Sequence, residues 1–529
     1  MRISTAQYFE TSAAKYQNNF SSIVKTQEQI TSGVRIQSAG DDPVGAAQLL
    51  MLQQQKDLLG QYSTNMGSIK NSLTNQESVL DSVNTALQRA RELALQAGNG
   101  GISDADRKSI GSEIGEIEAQ VLGLLNSKDS SGNYMFAGSK TSIPPYVRNN
   151  DGTYSYQGDD TQLSLQVSDT LSMATNDTGK SILESAVNSG RTQAVLDPSK
   201  PNDGTVSVSA GLVQSNAAYV KKFAAGEPYE LKFVDSTHYT IADKDGNDVT
   251  SEVSGNGTFD STKEGGATIS LRGVEFDISL RLKAPVDPAT TLPMTPDEEV
   301  KDHIFSLGTK PDSFNASRSP GNDSTAQITG SGVTTQADYV NGFPNSGVVI
   351  KFTDASNYQV YAQPMGADSK AIGGGAMAGG SITFAGVKLD FTGAPQADDQ
   401  FVVGASSHQT QSALDTLSQL RQALETPADG NDLAQIKLKD SVNSAISNLS
   451  NASEQVDIVR GTIGARLNAI DIQSAENVSM GLANTSTQSA IGDTDVATAS
   501  IDLAFQQSLL QASQLAFVKI AQLSLFNKL

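Results

Sequence analysis

The stretch "IQSAGDDPVGAAQLL", Ile36 to Leu50, separates two long helical patterns and decides how the N-terminal part of the chain folds. Gly40 ends the connector that follows the first helical pattern. Asp42 followed by Pro43 predicts a helix start, because aspartate suits the N-cap and proline suits the first helical position. Two adjacent carboxylates could also suggest a metal or catalytic site. A helix start explains both the carboxylates and the proline, whereas a metal or catalytic site would not explain the proline. We therefore predict that Asp42 is the N-cap, that Pro43 is the first helical residue, and that no catalytic or metal site lies there.

Apolar residues spaced alternately three and four apart flank this joint, and such spacing is typical of a coiled-coil seam. One pattern precedes the joint, with Gln27 as its polar exception. A second continues without proline from Pro43 to Ala97, and a shorter third runs from Ile110 to Leu124. The first seam consists of Ala6, Phe9, Ala13, Tyr16, Phe20, Ile23, Ile30 and Val34.

The C-terminal part repeats this character. A short helix is predicted around Leu414–Leu424, and seven-residue spacing continues from Val442 to Ile470. The last segment, from about Asp495, is apolar on more than one face, so one seam cannot bury it. We expect partner subunits to cover the remainder. The residues expected to carry subunit assembly are Phe9, Phe20, Ile23, Ile30, Phe505, Leu509, Phe517, Leu523 and Phe526.

Helix length argues for an elongated shape. A helix from Pro43 to about Gly98 would be roughly 80 Å long at about 1.5 Å per residue, whereas a compact globule of this chain length would be about 60 Å across. Isolated helices are marginal in water, so the two ends of the chain are expected to pack together. The predicted fold is a mainly α-helical coiled-coil rod built from both termini, with inserted antiparallel β domains.

The central region has strand patterns and an internal repeat. Short alternating runs among Gly, Asp and Asn turns occupy about residues 144–404, which is typical of hairpins. "AYVKKFAAGEPYELKFVDSTHYTIAD", from Ala218, resembles "DYVNGFPNSGVVIKFTDASNYQVYAQ", from Asp338. Two similar β domains are therefore expected, joined by the polar linker "PDSFNASRSPGNDST".

These patterns predict seven regions. The two terminal segments, residues 1–42 and 490–529, are expected to form one helical assembly domain. The rod has an N-terminal half at 43–145 and a C-terminal half at 408–485, with a β-hairpin region at 146–204. The inserted β domains are 205–310 and 328–404.

Composition limits the chemistry. The net charge of −21 disfavours nucleic acid and anionic membranes as partners. There is no cysteine, and the three histidines are scattered, so no zinc site is predicted. "DKDGND", Asp243–Asp248, lacks glycine at the sixth position of a calcium loop and favours a hairpin turn. "GGGAMAGG", from Gly373, lacks a phosphate-loop ending and favours a flexible loop. No catalytic residue, metal or cofactor is predicted.

Motifs at both ends resemble the bacterial flagellin family. They are "QITSGVRIQSAGDDPVGAA" near the start, and "VRGTIGARLNAID" with "IGDTDVATASIDLAFQQSLLQASQ" near the end. The likeness covers about residues 1–190 and 405–529. "GNYMFAGSKTSIPPY", "YSYQGDDTQ" and the ending "LSLFNKL" resemble the hook-associated branch more than filament flagellin.

The resemblance implies a structural, non-enzymatic adaptor ring between hook and filament that seeds filament assembly. It implies five partners: the first hook-associated junction protein, flagellin, copies of the chain itself, an export chaperone and the flagellar type III export apparatus. The start of the sequence has no cleaved signal pattern, and the expected location is the extracellular flagellum. Two alternatives stay open: a filament-forming flagellin, and, more remotely, an adhesin or enzyme housed in the central β domains.

Overall fold

The computed structural model describes residues 5–99, 101–149, 152–200, 204–260, 266–285, 293–335, 338–339, 342–344, 346–366 and 369–526. The side chains of residues 5–6, 8–9 and 520–526 lie outside the described part. Six long or medium helices are present there: α1 (Thr5–Ser32), α2 (Pro43–Ala97), α3 (Asp104–Leu125), α4 (Ala413–Glu425), α5 (Asp432–Gly492) and α6 (Val496–Phe526). Within the described ranges, no helix is long and apolar enough to span a membrane.

The described part of the central region contains twenty strands, all paired antiparallel. They are β1 (Tyr146–Arg148), β2 (Tyr154–Tyr156), β3 (Ser164–Gln166), β4 (Ser172–Ala174), β5 (Thr192–Leu196), β6 (Val206–Val208), β7 (Leu212–Val213), β8 (Tyr229–Phe233), β9 (Tyr239–Ala242), β10 (Ala267–Leu271), β11 (Val274–Leu280), β12 (Ile304–Thr309), β13 (Ser313–Arg318), β14 (Gln327–Val333), β15 (Val348–Phe352), β16 (Asn357–Ala362), β17 (Gly373–Ala376), β18 (Ser381–Phe384), β19 (Val387–Thr392) and β20 (Gln400–Ser406). The fold class is thus α+β and multidomain, with long terminal helices and antiparallel sheets, as the sequence predicts.

The chain divides into two compact units. The first comprises residues 1–75, 163–176 and 462–529, and the second comprises 76–162 and 177–461. The first unit contains α1, α6, the beginning of α2, the end of α5 and the β3–β4 hairpin. Tyr62 on α2 donates a hydrogen bond to Asp169 in the hairpin turn (2.8 Å), and Asn65 donates to the Gln166 carbonyl (2.8 Å). These bonds fix the hairpin to the helix.

The helical part of the second unit is built around α3 and α4. Glu118 on α3 is almost fully buried and accepts hydrogen bonds from Arg421 on α4 (2.8 Å) and from the Tyr154 hydroxyl on β2 (2.6 Å). Arg107 at the start of α3 contacts Asp104 and Asp429. Burying a carboxylate is costly unless hydrogen-bond donors are paired with it. Glu118 has such donors on α4 and on β2, so its contacts connect α3 and α4 to the β1–β2 hairpin.

Two sheets form the first β domain. One has the strand order β5-β12-β8-β9, and the other has β10-β11-β6 with β7 also paired to β11. Alternate residues such as Tyr229, Leu231 and Phe233 on β8 are buried between them. Strand β5 precedes the predicted start at residue 205, because its partner β12 lies more than a hundred residues away and no local pattern shows that pairing.

The second β domain has the same plan, with sheets β13-β20-β15-β16-β17 and β14-β19-β18. Repeat-equivalent residues occupy equivalent places: Phe233 and Phe352 are both fully buried in their own cores. Gly273 and Gly386 both have a positive φ, +90° and +71°, immediately before β11 and β19. An added Cβ would lie within 3 Å of a neighbour at either glycine, so the turn requires glycine.

Two loop predictions in this region are wrong. "SFNASR" in the expected linker forms β13, paired with β20, so this domain begins before residue 328. Only Phe314 of that strand is buried, which is why its sequence looks like a linker. The glycines from Gly373 form edge strand β17 instead of a loop, and a Cβ on Gly374 would lie 2.6 Å from the Tyr358 carbonyl oxygen. Close backbone approach explains the glycine.

The "DKDGND" segment is a turn, as predicted. The Asp243 carboxylate accepts a hydrogen bond from the Asn247 amide (2.9 Å), Gly246 has a φ of +80°, and Ala242 pairs with Asp248. The side-chain oxygens therefore stabilise their own loop.

Candidate assembly surface

Helices α1 and α6 pack together in the first unit and run antiparallel. Near one end, Gln514 donates a hydrogen bond to the Tyr16 hydroxyl (3.0 Å). Near the other, the Thr26 hydroxyl donates to the Gln506 side-chain oxygen (3.3 Å). The pairing thus joins segments that are about 480 residues apart in sequence, which agrees with the expectation that the two ends of the chain pack together.

Among the described side chains of α6, which end at Lys519, this pairing partly covers one face. Its more buried positions, Leu503, Gln506, Leu510 and Ser513, follow helical spacing. The other faces leave large apolar side chains in contact with solvent. These exposed residues are Val496, Ile501, Phe505, Leu509, Leu515, Phe517 and Val518.

The predicted assembly residues fall into three groups. Phe20 on α1 and Phe505, Leu509 and Phe517 on α6 are exposed, with 42–64% of each side chain accessible. Ile23 and Ile30 are half-buried. The side chains of Phe9, Leu523 and Phe526 lie outside the described residues. We define the assembly surface as Tyr16, Phe20 and Val24 of α1 together with Ile501, Phe505, Leu509, Leu515, Phe517 and Val518 of α6.

The connector after α1 meets the end of α5. The Arg35 backbone amide donates to the Gly492 carbonyl (2.7 Å), and its guanidinium donates to the Ile491 carbonyl (2.7 Å). These carbonyls belong to the last turn of α5, where a cation is favoured. The Arg35 guanidinium also lies 3.4 Å from the Asp42 carboxylate. Sequence reasoning missed Arg35, although a lone cation in a connector between helix ends is a usable signal.

Asp42 is the N-cap of α2, as the sequence predicts. Its carboxylate accepts a hydrogen bond from the Gly45 amide (2.9 Å), and its carbonyl accepts one from the Ala46 amide (2.8 Å). The bond from Gly45 lowers the pKa of Asp42, with a further contribution from Arg35. A Cβ at residue 45 would lie 2.6 Å from the carboxylate, so Gly45 leaves the space that the cap needs.

Asp41 fixes the connector in a different way. Its carboxylate lies 2.5 Å from Lys25 of α1 and accepts hydrogen bonds from the amides of Gln37 (3.1 Å) and Ser38 (2.9 Å). The hydrogen bond from Lys25 is the largest cause that lowers the pKa of Asp41 to about 2. Both carboxylates of "GDDP" therefore hold backbone and helix ends in place.

Acid should loosen this connector. Because the folded-state pKa of Asp41 is about 2, below its ordinary value of 3.8, its stabilising effect is present above pH 4 and is lost as the pH falls towards 2. At pH 6, we expect residues 33–42 to be less protected from amide exchange in Asp41→Asn than in the parent chain. Near pH 2, the difference in protection between the two chains should be smaller. Asp57→Asn, which changes an exposed carboxylate elsewhere in the first unit, is the control. Equal effects of both substitutions would contradict this role.

The "GNYMFAGSK" motif is structural and lies in the second unit. Phe136 and Ala137 are fully buried. The Gly179 amide donates to the Phe136 carbonyl (2.8 Å), and the buried Tyr146 hydroxyl donates to the Gly179 carbonyl (2.8 Å). The Tyr156 hydroxyl also donates to the Phe136 carbonyl (2.9 Å). The motif thus acts by packing three separate chain segments together.

A cavity of about 550 Å³ in the second unit is the place where a small ligand would be sought. Burial raises the pKa of Asp440 to about 6 there, and the half-buried Lys310 donates to the Gly190 carbonyl (2.6 Å). Among the residues that the structure describes, no group of three His, Cys, Asp or Glu side chains could hold a metal ion. The lining of the cavity therefore includes two charged groups, Asp440 and Lys310.

Comparison with known proteins supports the class that the helical ends suggest. Residues 3–141 match the family described as the bacterial flagellin N-terminal helical region. That segment contains α1, the "GDDP" joint, α2, α3 and the whole "GNYMFAGSK" motif.

Within that class, the chain is similar to flagellar hook-associated protein 3. It is 35% identical over 185 residues to the protein of that name from Salmonella typhimurium, covering 35% of this chain and 57% of that protein. It is 32% identical over 207 residues to the Escherichia coli protein, covering 39% of this chain and 62% of that one. The matched regions thus span about three fifths of these curated relatives. The predicted resemblance to the hook-associated branch of the flagellin family is confirmed.

A solved structure is similar over a larger part of the chain. It is the flagellar hook associated protein-3 of Legionella pneumophila, with 20% identity, 83% of this chain and 98% of that chain covered, and a TM-score of 0.48.

Proposed function

We propose that this chain is a structural component of the bacterial flagellum that joins the hook to the filament and seeds filament assembly. The observation that carries the proposal is the assembly surface: α6 is paired with α1 on one face and exposes large apolar side chains on the others. The similarity to hook-associated protein 3 supplies the context.

Exposed apolar surface of this kind favours burial against other subunits. Phe505 and Phe517, for example, expose 64% and 42% of their side chains. Monomeric proteins rarely present so many contiguous apolar residues to water, and copies arranged by one repeated contact form a closed ring or a helical array. The chain's charge of −21 would keep the free protein soluble until it meets its partners.

The proposed partners follow from a position between hook and filament. They are the first hook-associated junction protein on one side, flagellin on the other, and copies of the chain within the ring. An export chaperone and the flagellar type III export apparatus would deliver the chain to the cell exterior. The residues proposed to make subunit contacts are Phe9, Phe20, Ile23, Ile30, Phe505, Leu509, Phe517, Leu523 and Phe526.

Deleting the gene tests the proposal. Without a junction protein, flagellin should be exported into the medium but not assembled, so cells should carry hooks without filaments. Supplying the full chain from a plasmid should restore filaments and swimming. The measurement is electron microscopy of cells together with the flagellin content of the medium. Filaments of normal length and number on the deletion strain would contradict the proposal.

The flagellin alternative has its own test, because the matching family region is that of flagellins. A filament-forming flagellin polymerises by itself, so the purified chain would form long tubes, whose formation can be followed by light scattering and microscopy. A purified junction protein should instead form no long tubes by itself, and long tubes should appear only after flagellin is added.

A further inference from the structure

Helix α5 has a core position that recurs every seven residues and changes character along the helix. All seven members are buried, with side-chain exposures of 0–8%. The first five are aliphatic and the last two are asparagine, which is uncommon in a buried helix seam. The positions are Val442, Leu449, Val456, Ile463, Ile470, Asn477 and Asn484.

The two asparagines bind the neighbouring helix in the first unit. The Asn477 amide donates to the Leu59 carbonyl of α2 (2.9 Å), and the Asn484 amide donates to the Leu52 carbonyl (2.9 Å). Asn484 also donates to the side-chain oxygen of Gln55 (3.2 Å) and accepts from Gln488 (2.9 Å). Gln55 lies three residues after Leu52 and four before Leu59, where the spacing of α2 would place an apolar residue, and its position opposite Asn484 accounts for the polar side chain.

Helix α2 has the matching seven-residue repeat at Leu52, Leu59, Met66 and Leu73. The observed register is antiparallel, and it places Ile470 opposite Met66. Because the aliphatic layers resemble one another, a shift of seven residues, about 10 Å along the axis, would leave much of the apolar contact intact. Apolar packing alone therefore selects the register weakly.

The asparagines oppose one such shift. If α5 moved one heptad towards the middle of α2, Asn484 would face Leu59 and Asn477 would face Met66. Asn484 would then keep a backbone carbonyl partner at Leu59, as Asn477 has there now, but it would lose the side-chain oxygen of Gln55. The Asn477 amide would enter the aliphatic Met66 layer, where burial of a polar group is costly.

The largely exposed ion pairs Lys70–Asp471 (2.8 Å) and Arg460–Asp81 (2.9 Å) also mark the native register of α2 and α5, but exposed pairs contribute little. In the second unit, the Asn84 amide donates to the Asp457 carboxylate (3.0 Å), and this contact opposes the same shift.

We propose that Asn477 and Asn484 fix the register of α2 against α5 at the cost of some stability in this part of the helix pair. A buried asparagine at a core heptad position is known to specify pairing in coiled coils while lowering stability. The inference is independent of where the chain assembles.

The absence of cysteine from the sequence allows a direct register test. Lys70→Cys combined with Asp471→Cys reports the native register, and Lys70→Cys combined with Val478→Cys reports the shifted one. In the parent chain, a short bismaleimide should crosslink only the native pair. Adding Asn477→Leu and Asn484→Leu should raise the shifted crosslink from background to a fraction comparable with the native one.

Stability provides the second readout on the full chain. The double leucine variant should show slower amide exchange in residues 45–59 and 477–490 than the parent, because aliphatic layers replace polar ones. Ile470→Leu, a change at the same core position, is the matched control and should keep a single register. Asn484→Gln retains a side-chain amide and should also keep the single register. This variant shows whether a substitution at residue 484 by itself prevents folding.

Two results would overturn the inference. One is a double leucine variant that crosslinks only in the native register, since the asparagines would then not select it. The other is faster amide exchange in that variant than in the parent, since the asparagines would then be net stabilising.

Discussion

Replacing Phe505 and Leu509 together by glutamate will prevent the chain from entering the flagellum while leaving its own fold intact. Both side chains are exposed on α6, by 64% and 45%, so the free chain loses little packing. In an assembled ring, each would lose about 1.5–3 kcal/mol of apolar burial, and each new carboxylate would have to be buried or would keep neighbours apart. The defect recurs in every copy.

The measurement is swimming motility together with electron microscopy of the cells, and secreted protein is quantified in the medium. Circular dichroism of the purified variant should match that of the parent. Gln507→Glu is the control, because Gln507 is exposed between the two positions and its substitution adds one of the two new charges to the same stretch of α6 without removing an apolar side chain. Normal filaments with the double variant would contradict the assembly role of α6, and a defect of equal size in the control would assign the effect to charge alone.

The helical part of the fold is readable from sequence because heptads are local signals. Pro43 predicts the start of α2 and "GNGG" predicts its end, and the observed helix runs from Pro43 to Ala97. Polar residues within the seams carry further information. Gln76 interrupts the α2 pattern, and it is fully buried, donating to the Met135 carbonyl (3.0 Å) and accepting from the Asp177 amide (3.0 Å). The partners of Gln76 are distant in sequence. The apolar spacing of α2 therefore shows that Gln76 is a polar exception but does not show why.

Edge strands are harder to predict, since one side of an edge strand faces solvent and need not be apolar. β13 buries only Phe314, and β17 consists of three glycines and an alanine. Each is a strand because of its partner, β20 or β16. A local pattern cannot show which strand pairs with which. The predicted domain starts at residues 205 and 328 therefore lie after β5 and β13, two strands that belong to the sheets of these domains.

The candidate assembly surface is predictable in composition and not in geometry. An over-apolar last helix indicates uncovered surface, and the exposure of Phe505 and Leu509 agrees with that expectation. Which face of α6 meets α1 depends on contacts such as Thr26 with Gln506. Likewise, Asp42 has a local capping signature, whereas the contact of Arg35 with the end of α5 joins residues 456 positions apart.

Replacing Phe352 by alanine should unfold the second β domain and leave the first one folded. Phe352 is fully buried, with ring centroids 5.5 Å from Phe391 and 5.9 Å from Phe401. Truncating a buried phenylalanine typically costs about 3–5 kcal/mol, while a small domain has about 5–15 kcal/mol in total. For a domain near the lower end of that range, the loss takes most of its free energy of unfolding.

Phe233→Ala is the reciprocal variant, because Phe233 holds the equivalent place in the separate core of the first domain. Amide exchange resolved by peptide should lose protection in the strands between residues 313 and 406 for Phe352→Ala, and in the strands between residues 192 and 309 for Phe233→Ala. Ile372→Ala, at a site that is 46% exposed, is the control and should change neither. If either phenylalanine variant lost protection in both β domains, the duplicated sequence would fold as one cooperative unit and the division into two domains would be wrong. If protection were lost separately, swimming by the Phe352→Ala strain would show directly whether the second domain is needed for filament growth.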